Sequence, residues 1–169
     1  MFDACVLGVD PGVAKVGLAV VRSRDRTAEL RWAGTLRTEA GEPEAGRLRQ
    51  VAAAVRAAIA EQRPDAVAIE RVAWNRNQVS ALQVARATGV VMVVAAEAGL
   101  AVEEYGPNEV KIAVTGAGNA GKAEVRAALV RLHGLRDVPS QPVAADAVAV
   151  ALTHLMGARM RSLSRAGVR

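Results

Sequence analysis

The alternation of apolar and polar positions divides the chain into short strands followed by helices. Cys5–Asp10 is a brief apolar run read as a buried strand, Val16–Ser23 reads as a second, and Glu29–Thr38, partly alternating, as a third. The connections Asp10-Pro11-Gly12 and Arg24-Asp25-Arg26 are short enough to make antiparallel hairpins of these three. In Pro43–Gln62, Leu48, Val51, Val55, Ala58 and Ile59 recur at helical spacing with charges between them. Pro64 ends that helix and leads into a strand over Ala66–Glu70.

Gln78–Ala98 predicts a long helix, apolar over most of its circumference, especially after Ala87. Such a helix must be covered on both sides. Its own sheet supplies one cover and a second subunit is predicted to supply the other; a central core helix in a monomer is the alternative. Leu100–Tyr105 is the fifth strand, and Pro107–Val114 a short helix opened by proline at a favourable position. Thr115–Gly121 is a glycine-rich loop, Lys122–His133 a helix, Gly134–Gln141 a loop and Pro142–Arg159 the final helix. Three opening strands followed by alternating helices and strands predict an α/β domain, a five-stranded mixed sheet with helices on both faces.

Composition narrows the class. At 169 residues the chain is read as one domain over 1–158, with 159–169 as a basic, flexible tail carrying Arg159, Arg161, Arg165 and Arg169 and no acid. Apolar residues make up 51% and aromatics only 2%, which favours close packing of Ala- and Val-rich helices on a sheet. One cysteine, Cys5, excludes a disulfide framework, and with two histidines there is no zinc-ligand cluster. The start of the chain, with Asp3 and Asp10 inside its first apolar run, does not read as a secretory signal. The strongly apolar stretch Thr88–Ala96 is about half the ~20 residues a membrane span needs. A cytoplasmic protein is expected. The net charge of +5 points to a polyanionic partner.

Three acids stand out against this background: Asp10 in Gly8-Val9-Asp10-Pro11-Gly12, Glu70 closing Ala66-Val67-Ala68-Ile69, and Asp146 in Ala144-Ala145-Asp146-Ala147. Each has small or apolar neighbours, where a charge is costly to bury without a partner. Asp10 and Glu70 end strands, and ligand sites in α/β sheets lie at the carboxyl ends of strands; the final helix can bring Asp146 to the same place. Converging carboxylates repel unless cations intervene, and oxygen ligands select Mg²⁺ or Mn²⁺. Two such ions, about 3.5–4 Å apart, support in-line phosphoryl displacement. With a basic surface, this predicts a phosphodiesterase acting on nucleic acid. Lys111 and Lys122, the latter opening a helix after the glycine loop, are candidates to hold phosphate. His154 reads as a packed or capping residue and His133 as a helix-end residue.

In the order and spacing of its motifs the chain resembles the RuvC family of bacterial Holliday-junction resolvases over nearly its full length. The resemblance rests on Gly8-Val9-Asp10-Pro11-Gly12 with Gly17, Ala68-Ile69-Glu70-Arg71-Val72, Asn77 and Ser80, and Gly89-Val90. It continues through Tyr105-Gly106-Pro107, Val110-Lys111, Thr115-Gly116-Ala117-Gly118, Lys122, Ala144-Ala145-Asp146-Ala147 and Leu152-Thr153-His154. It implies an RNase H-like fold and a homodimer joined through the long helix 78–98. It further implies symmetric nicking of four-way junction DNA with two Mg²⁺ or Mn²⁺ ions, and the branch-migration proteins RuvA and RuvB as partners. Asp10, Glu70 and Asp146 would be catalytic metal ligands, and Lys111 and Lys122 would contact DNA phosphates.

The chain departs from the family pattern in two places. The family's fourth metal-binding position, three residues before the last aspartate, holds Asp or His; here it is Val143, which offers no lone pair. Three alternatives stay open: water, Gln141 or Asp137 fills the gap, the chain binds junctions and cleaves them poorly, or Val143 is an introduced substitution. The family's phenylalanine three residues after the glutamate is Ala73 here, with Trp74 beside it. Trp74 is expected to stack on a junction base, flanked by Arg71 and Arg76 as DNA contacts. A non-catalytic junction-binding protein is the nearest rival. A YqgF-type nuclease lacks the Tyr105–Lys111 segment and the long apolar helix, and an actin-like or sugar-kinase ATPase needs a second phosphate loop and an adenosine site.

Overall fold

The computed structural model describes residues 3–25, 27–72 and 78–166, with Gln78 and 159–166 described by backbone alone. The chain begins with β1 (Ala4–Asp10), β2 (Lys15–Arg24) and β3 (Thr27–Arg37), an antiparallel meander. Helix α1 (Glu44–Gln62) then crosses to β4 (Ala66–Glu70), which pairs parallel with β1. Helix α2 (Gln78–Glu97) crosses to β5 (Ala101–Tyr105), parallel with β4. Three helices follow: α3 (Pro107–Thr115), α4 (Lys122–Arg131) and α5 (Pro142–Ala166). The sheet order is β3-β2-β1-β4-β5, the five-stranded mixed sheet that the sequence predicts.

Strand periodicity sorts the core into two layers. Leu7, Val9, Leu18, Val20, Val67 and Ile69 face the layer of α1 and α2, together with Val51, Val55, Val91 and Val94. The alternate positions Val6, Ala19, Val21 and Ala68 face α5, which carries Ala147, Val148 and Ala151, with α3 and α4 packed beside it. Asp10 follows Val6 and Gly8 at the strand period, and Glu70 follows Ala68. Both acids therefore lie on the α5 side of the sheet, at the ends of adjacent parallel strands.

Helix α5 sits unusually low on that face. A Cβ built on Gly8 would lie 2.1 Å from the Ala147 carbonyl oxygen, and one on Gly17 would lie 1.8 Å from that of Val143. Both neighbours are main chain, so no rotamer change makes room. Gly17 is the register partner of Asp10. The same contact that lets α5 approach thus sets Asp146, one turn on from Val143, against the end of β1.

Two boundaries differ from expectation. The backbone of α5 is helical to Ala166, because nothing helix-breaking follows Arg159 until the last glycine, so most of the segment read as a flexible tail continues the helix. The stretch Val79–Glu97, 19 residues with mean hydropathy 1.7, is long and apolar enough by length and composition to cross a membrane, which corrects the shorter reading of Thr88–Ala96. One side of it, with Ala87, Val91, Val94 and Ala95, is buried against the core, while Val79, Leu82 and Val93 are exposed.

The seating of α5 generates the first prediction. Gly17→Ala should destabilise the fold by about 1–3 kcal/mol through overpacking, lowering the melting temperature by several degrees. Gly41→Ala, with no atom within 4 Å of its added carbon, should leave the melting temperature unchanged in the same calorimetric scan.

Candidate active site

The three acids singled out in the sequence come together. Asp10 and Glu70 share a side-chain hydrogen bond, and each feels the charge of Asp146. Burial pushes the Asp10 carboxyl up to about 8, with the negative charges of Glu70 and then Asp146 adding to it and Lys122 opposing. Burial likewise raises Glu70, followed by the charge of Asp146. Burial and mutual repulsion thus let this pair hold a proton to higher pH than isolated carboxyls do.

Asp146 is balanced differently. Lys122, the first residue of α4, places Nζ 2.5 Å from Asp146 Oδ2. Burial works against the Lys122 ammonium, but the hydrogen bond and charge of Asp146, then the charges of Asp10 and Glu70, raise its pKa above the usual lysine value. Its side chain is nevertheless 70% exposed, so water screens much of the attraction and leaves the ammonium able to exchange partners. The α4 start that presents it is fixed by Glu124, whose Oε2 accepts the Gly121 N–H at 2.6 Å in a capping arrangement. Lys111, half-buried on α3, lies close enough to Glu70 to favour its charged form.

Among the described residues, no three acidic, histidine or cysteine side chains stand at the spacing that a coordinated metal ion imposes. Among the described groups, the Lys122 ammonium is the cation that Asp146 contacts directly. Val143, one turn before Asp146, is half-buried and directs its carbonyl at Gly17. Gln141 and Asp137 are both exposed. Arg71 donates from its guanidinium to the Glu104 carbonyl at 3.2 Å, and its N–H donates to the Tyr105 carbonyl at 2.8 Å. It thereby ties the end of β4 to β5. Ala73, Trp74, Arg76 and Asn77 lie outside the described residues.

The structure adds a pairing that sequence reasoning missed. Tyr105, buried at the end of β5 and in register with Glu70, hydrogen-bonds His154 Nδ1 at 3.0 Å, the rings edge to face with centroids 5.9 Å apart. His154 is on α5, two turns beyond Asp146, so it is a packed residue joining the Glu70 strand end to the Asp146 helix. His133 hydrogen-bonds through Nε2 to the Val114 carbonyl at 2.8 Å, joining the end of α4 to α3. The conjunction of an aromatic closing β5 with a histidine two turns past the acid was the available signal.

Charge relief gives the second prediction. A carboxyl whose pKa is raised on folding costs nothing at a pH below its unfolded value, near 4, and costs progressively more as pH rises toward 8. In metal-free buffer containing a chelator, Asp10→Asn should therefore raise the melting temperature at pH 8, with the gain shrinking to nothing near pH 4. Equal gains at both pH values would contradict the assignment.

The chain as a whole is similar to known proteins. The family model described as crossover junction endodeoxyribonuclease RuvC matches residues 6–154. Proteins of that name from Frankia alni and Syntrophomonas wolfei are 47% and 40% identical to the chain. These alignments cover 89% and 93% of it and 77% and 91% of the respective relatives. The Thermus thermophilus RuvC structure in complex with a Holliday junction substrate superposes with a TM-score of 0.86 at 39% identity, over 93% of this chain and 96% of that one. The yeast mitochondrial Holliday junction resolvase Ydc2, at 11% identity and a TM-score of 0.66, shares the fold. With the match running from β1 to His154 and so through all three acids, the chain belongs to the RuvC family of crossover junction endodeoxyribonucleases.

Proposed function

We propose that this protein resolves four-way DNA junctions as a homodimer, each subunit nicking one of two opposed strands, with Asp10, Glu70 and Asp146 as ligands for Mg²⁺ or Mn²⁺. The observation that carries this reading is the meeting of three half-buried carboxylates from β1, β4 and α5, balanced by an exchangeable lysine. All their donor atoms are hard oxygens, which suits these cations, and the raised Asp10 pKa reports a site that needs positive charge. When bound, two such ions supply a hydroxide nucleophile and neutralise charge on the leaving 3′ oxygen.

The chain's own residues do the rest. Asp10 would be deprotonated where it holds a cation, and Asp146 would be free to do the same once the exposed Lys122 ammonium turns to a phosphate oxygen of the strand. Lys111, beside Glu70, holds the phosphate from the other side. Arg71 keeps the end of β4 fixed, and Trp74 and Arg76 are proposed to contact bases and phosphates near the junction centre. Val143 brings no side-chain donor to the site, and its main chain seats α5 on Gly17; cleavage with three carboxylates is the reading adopted.

The proposed dimer surface is an apolar stripe on α2. Val79, Leu82 and Val93 are 67%, 51% and 57% exposed. With Arg86, Gly89 and Ala96 between and beyond them, these positions follow the alternating three- and four-residue spacing of a coiled-coil seam. The expected setting is the cytoplasm, with RuvA and RuvB as proposed partners and the arginines of 159–169 as further contacts to DNA.

The activity is checked on a synthetic mobile four-way junction. With Mn²⁺ the chain should make paired symmetric nicks, and Asp10→Asn should slow them by roughly 10²–10³-fold, the scale for losing one preorganised electrostatic group. Tight junction binding without nicks, restored to cleavage by Val143→Asp, would instead identify a binding-only form. The dimer is checked separately by sedimentation: Leu82→Glu with Val93→Glu should give monomers that retain a folded spectrum but no longer make paired nicks, whereas an intact dimer would exclude this stripe.

A further inference from the structure

At the end of the sheet opposite the acids lies a cavity of about 400 Å³, lined among others by Asp3, Cys5, Arg22, Arg31, Arg63 and Asp65. Strand β1 separates the two places: it runs seven residues from Ala4 to Asp10, roughly 20 Å at about 3.3 Å per residue. The cavity is thus distinct from the active site, and its volume is that of an ordinary small-ligand site.

Three arginines reach this cavity by three different backbone devices. Arg22 is the register partner of Cys5 on the neighbouring strand. Arg31 is the extra residue of a β-bulge, since Val20 pairs with Trp32 while Val21 pairs with Leu30; a bulge re-aims the side chain it carries. Arg63 caps α1 in the left-handed region, φ 48°, where glycine is favoured and an arginine side chain is retained at a conformational cost. Among the described residues none of the three enters an ion pair. Surface arginines that serve only solubility need no such placement.

The remaining lining supplies acceptors. Asp65 is held in place by the Cys5 N–H, donated to Oδ2 at 2.7 Å, and by its own N–H to the Cys5 carbonyl at 2.7 Å. Asp3 and the Gln62 amide stand on the same wall system. Burial and then the charge of Asp65 raise the Cys5 thiol pKa, while the charges of Arg22 and Arg31, both lining the cavity, oppose it. Guanidinium forks match phosphate oxygens bidentately. Carboxylates repel phosphate but accept from sugar hydroxyls and base amines. A bare anion would meet two unneeded carboxylates; a ligand joining a phosphate to hydrogen-bond donors uses both halves.

We propose that this cavity binds a nucleotide, its phosphate on Arg22, Arg31 and Arg63 and its hydroxyl or amine donors on Asp3 and Asp65. The nucleotide comes either free or as the phosphorylated end of a DNA strand. The assignment goes beyond the junction-resolving reading and does not depend on it.

The test is calorimetric titration of the full chain, in chelator to prevent cleavage, with dAMP, inorganic phosphate and a 5′-phosphorylated tetranucleotide. Saturable 1:1 binding of dAMP is expected, weakened at least tenfold in Arg31→Gln/Arg63→Gln and unchanged in Lys122→Gln. Because both arginines are exposed, the double variant should keep its melting temperature and its rate of junction nicking. Tetranucleotide binding at least tenfold tighter than dAMP would make a strand end the natural ligand; equal or weaker binding would make it a free nucleotide. The proposal is overturned by the absence of saturable binding, by phosphate binding as tightly as dAMP, or by affinity that is lost with Lys122 and not with the two arginines.

Discussion

Everything at the active site depends on how closely one helix can approach the sheet. Side chains in place of the glycines beneath α5 would hold the helix off the sheet and draw Asp146 away from the acids on the strand ends. Gly8 and Gly17, on a diagonal of the antiparallel β1–β2 pair where Gly8 faces Ala19 and Gly17 faces Asp10, remove that spacing and let the carbonyls of Ala147 and Val143 come close to the strands. The cost is small, because strands flanked by Leu7, Val9, Leu18 and Val20 on the opposite face are held firmly by the other core layer. Alanine-rich stretches of α5 continue the same close contact up the sheet.

That approach forces like charges together, and the protein settles the conflict with two different counter-charges. Raised pKa values let Asp10 and Glu70 hold a proton to higher pH than free carboxyls do, and a lysine ammonium lies on Asp146. The two differ in how they can be displaced. The proton leaves when a stronger cationic field arrives, while the ammonium only has to swing on an exposed side chain. A site that neutralises itself in this way can fold on its own and still attract positive charge. The Tyr105–His154 link and the Arg71 contacts then serve a plain mechanical purpose, fastening β4, β5 and α5 to one another where the acids meet.

Most of this architecture was legible in the sequence because local and tertiary preferences agree. The β1, β2 and β4 segments are apolar runs bounded by turn residues, and α1 shows a clean helical period, so their positions match to within a residue or two. The acids were legible for a different reason: a charge at the end of an apolar run has no structural excuse. What the sequence withheld depends on distant pairing. Nothing local marks Gly17 as the seat of Val143, Tyr105 as the partner of His154, or Lys122 as the counter-ion of Asp146, since each pair is joined only when the sheet closes. The length of α5 was underestimated because charged residues after Ala158 were read as solvated tail, although arginine is itself a good helix former.

Strand alternation gives the enzyme a safeguard against its own misfolding. The side chains of β1 change face at every residue, so slipping β1 by one position against β4 would turn Asp10 away from α5. The same slip would carry Gly8 out from under the helix and bring a valine or leucine into its place, lifting Asp146 as well. Pairing error and chemical competence are thereby mutually exclusive. For an endonuclease, whose stray activity would damage the chromosome it serves, a misregistered molecule is inert and not merely inaccurate.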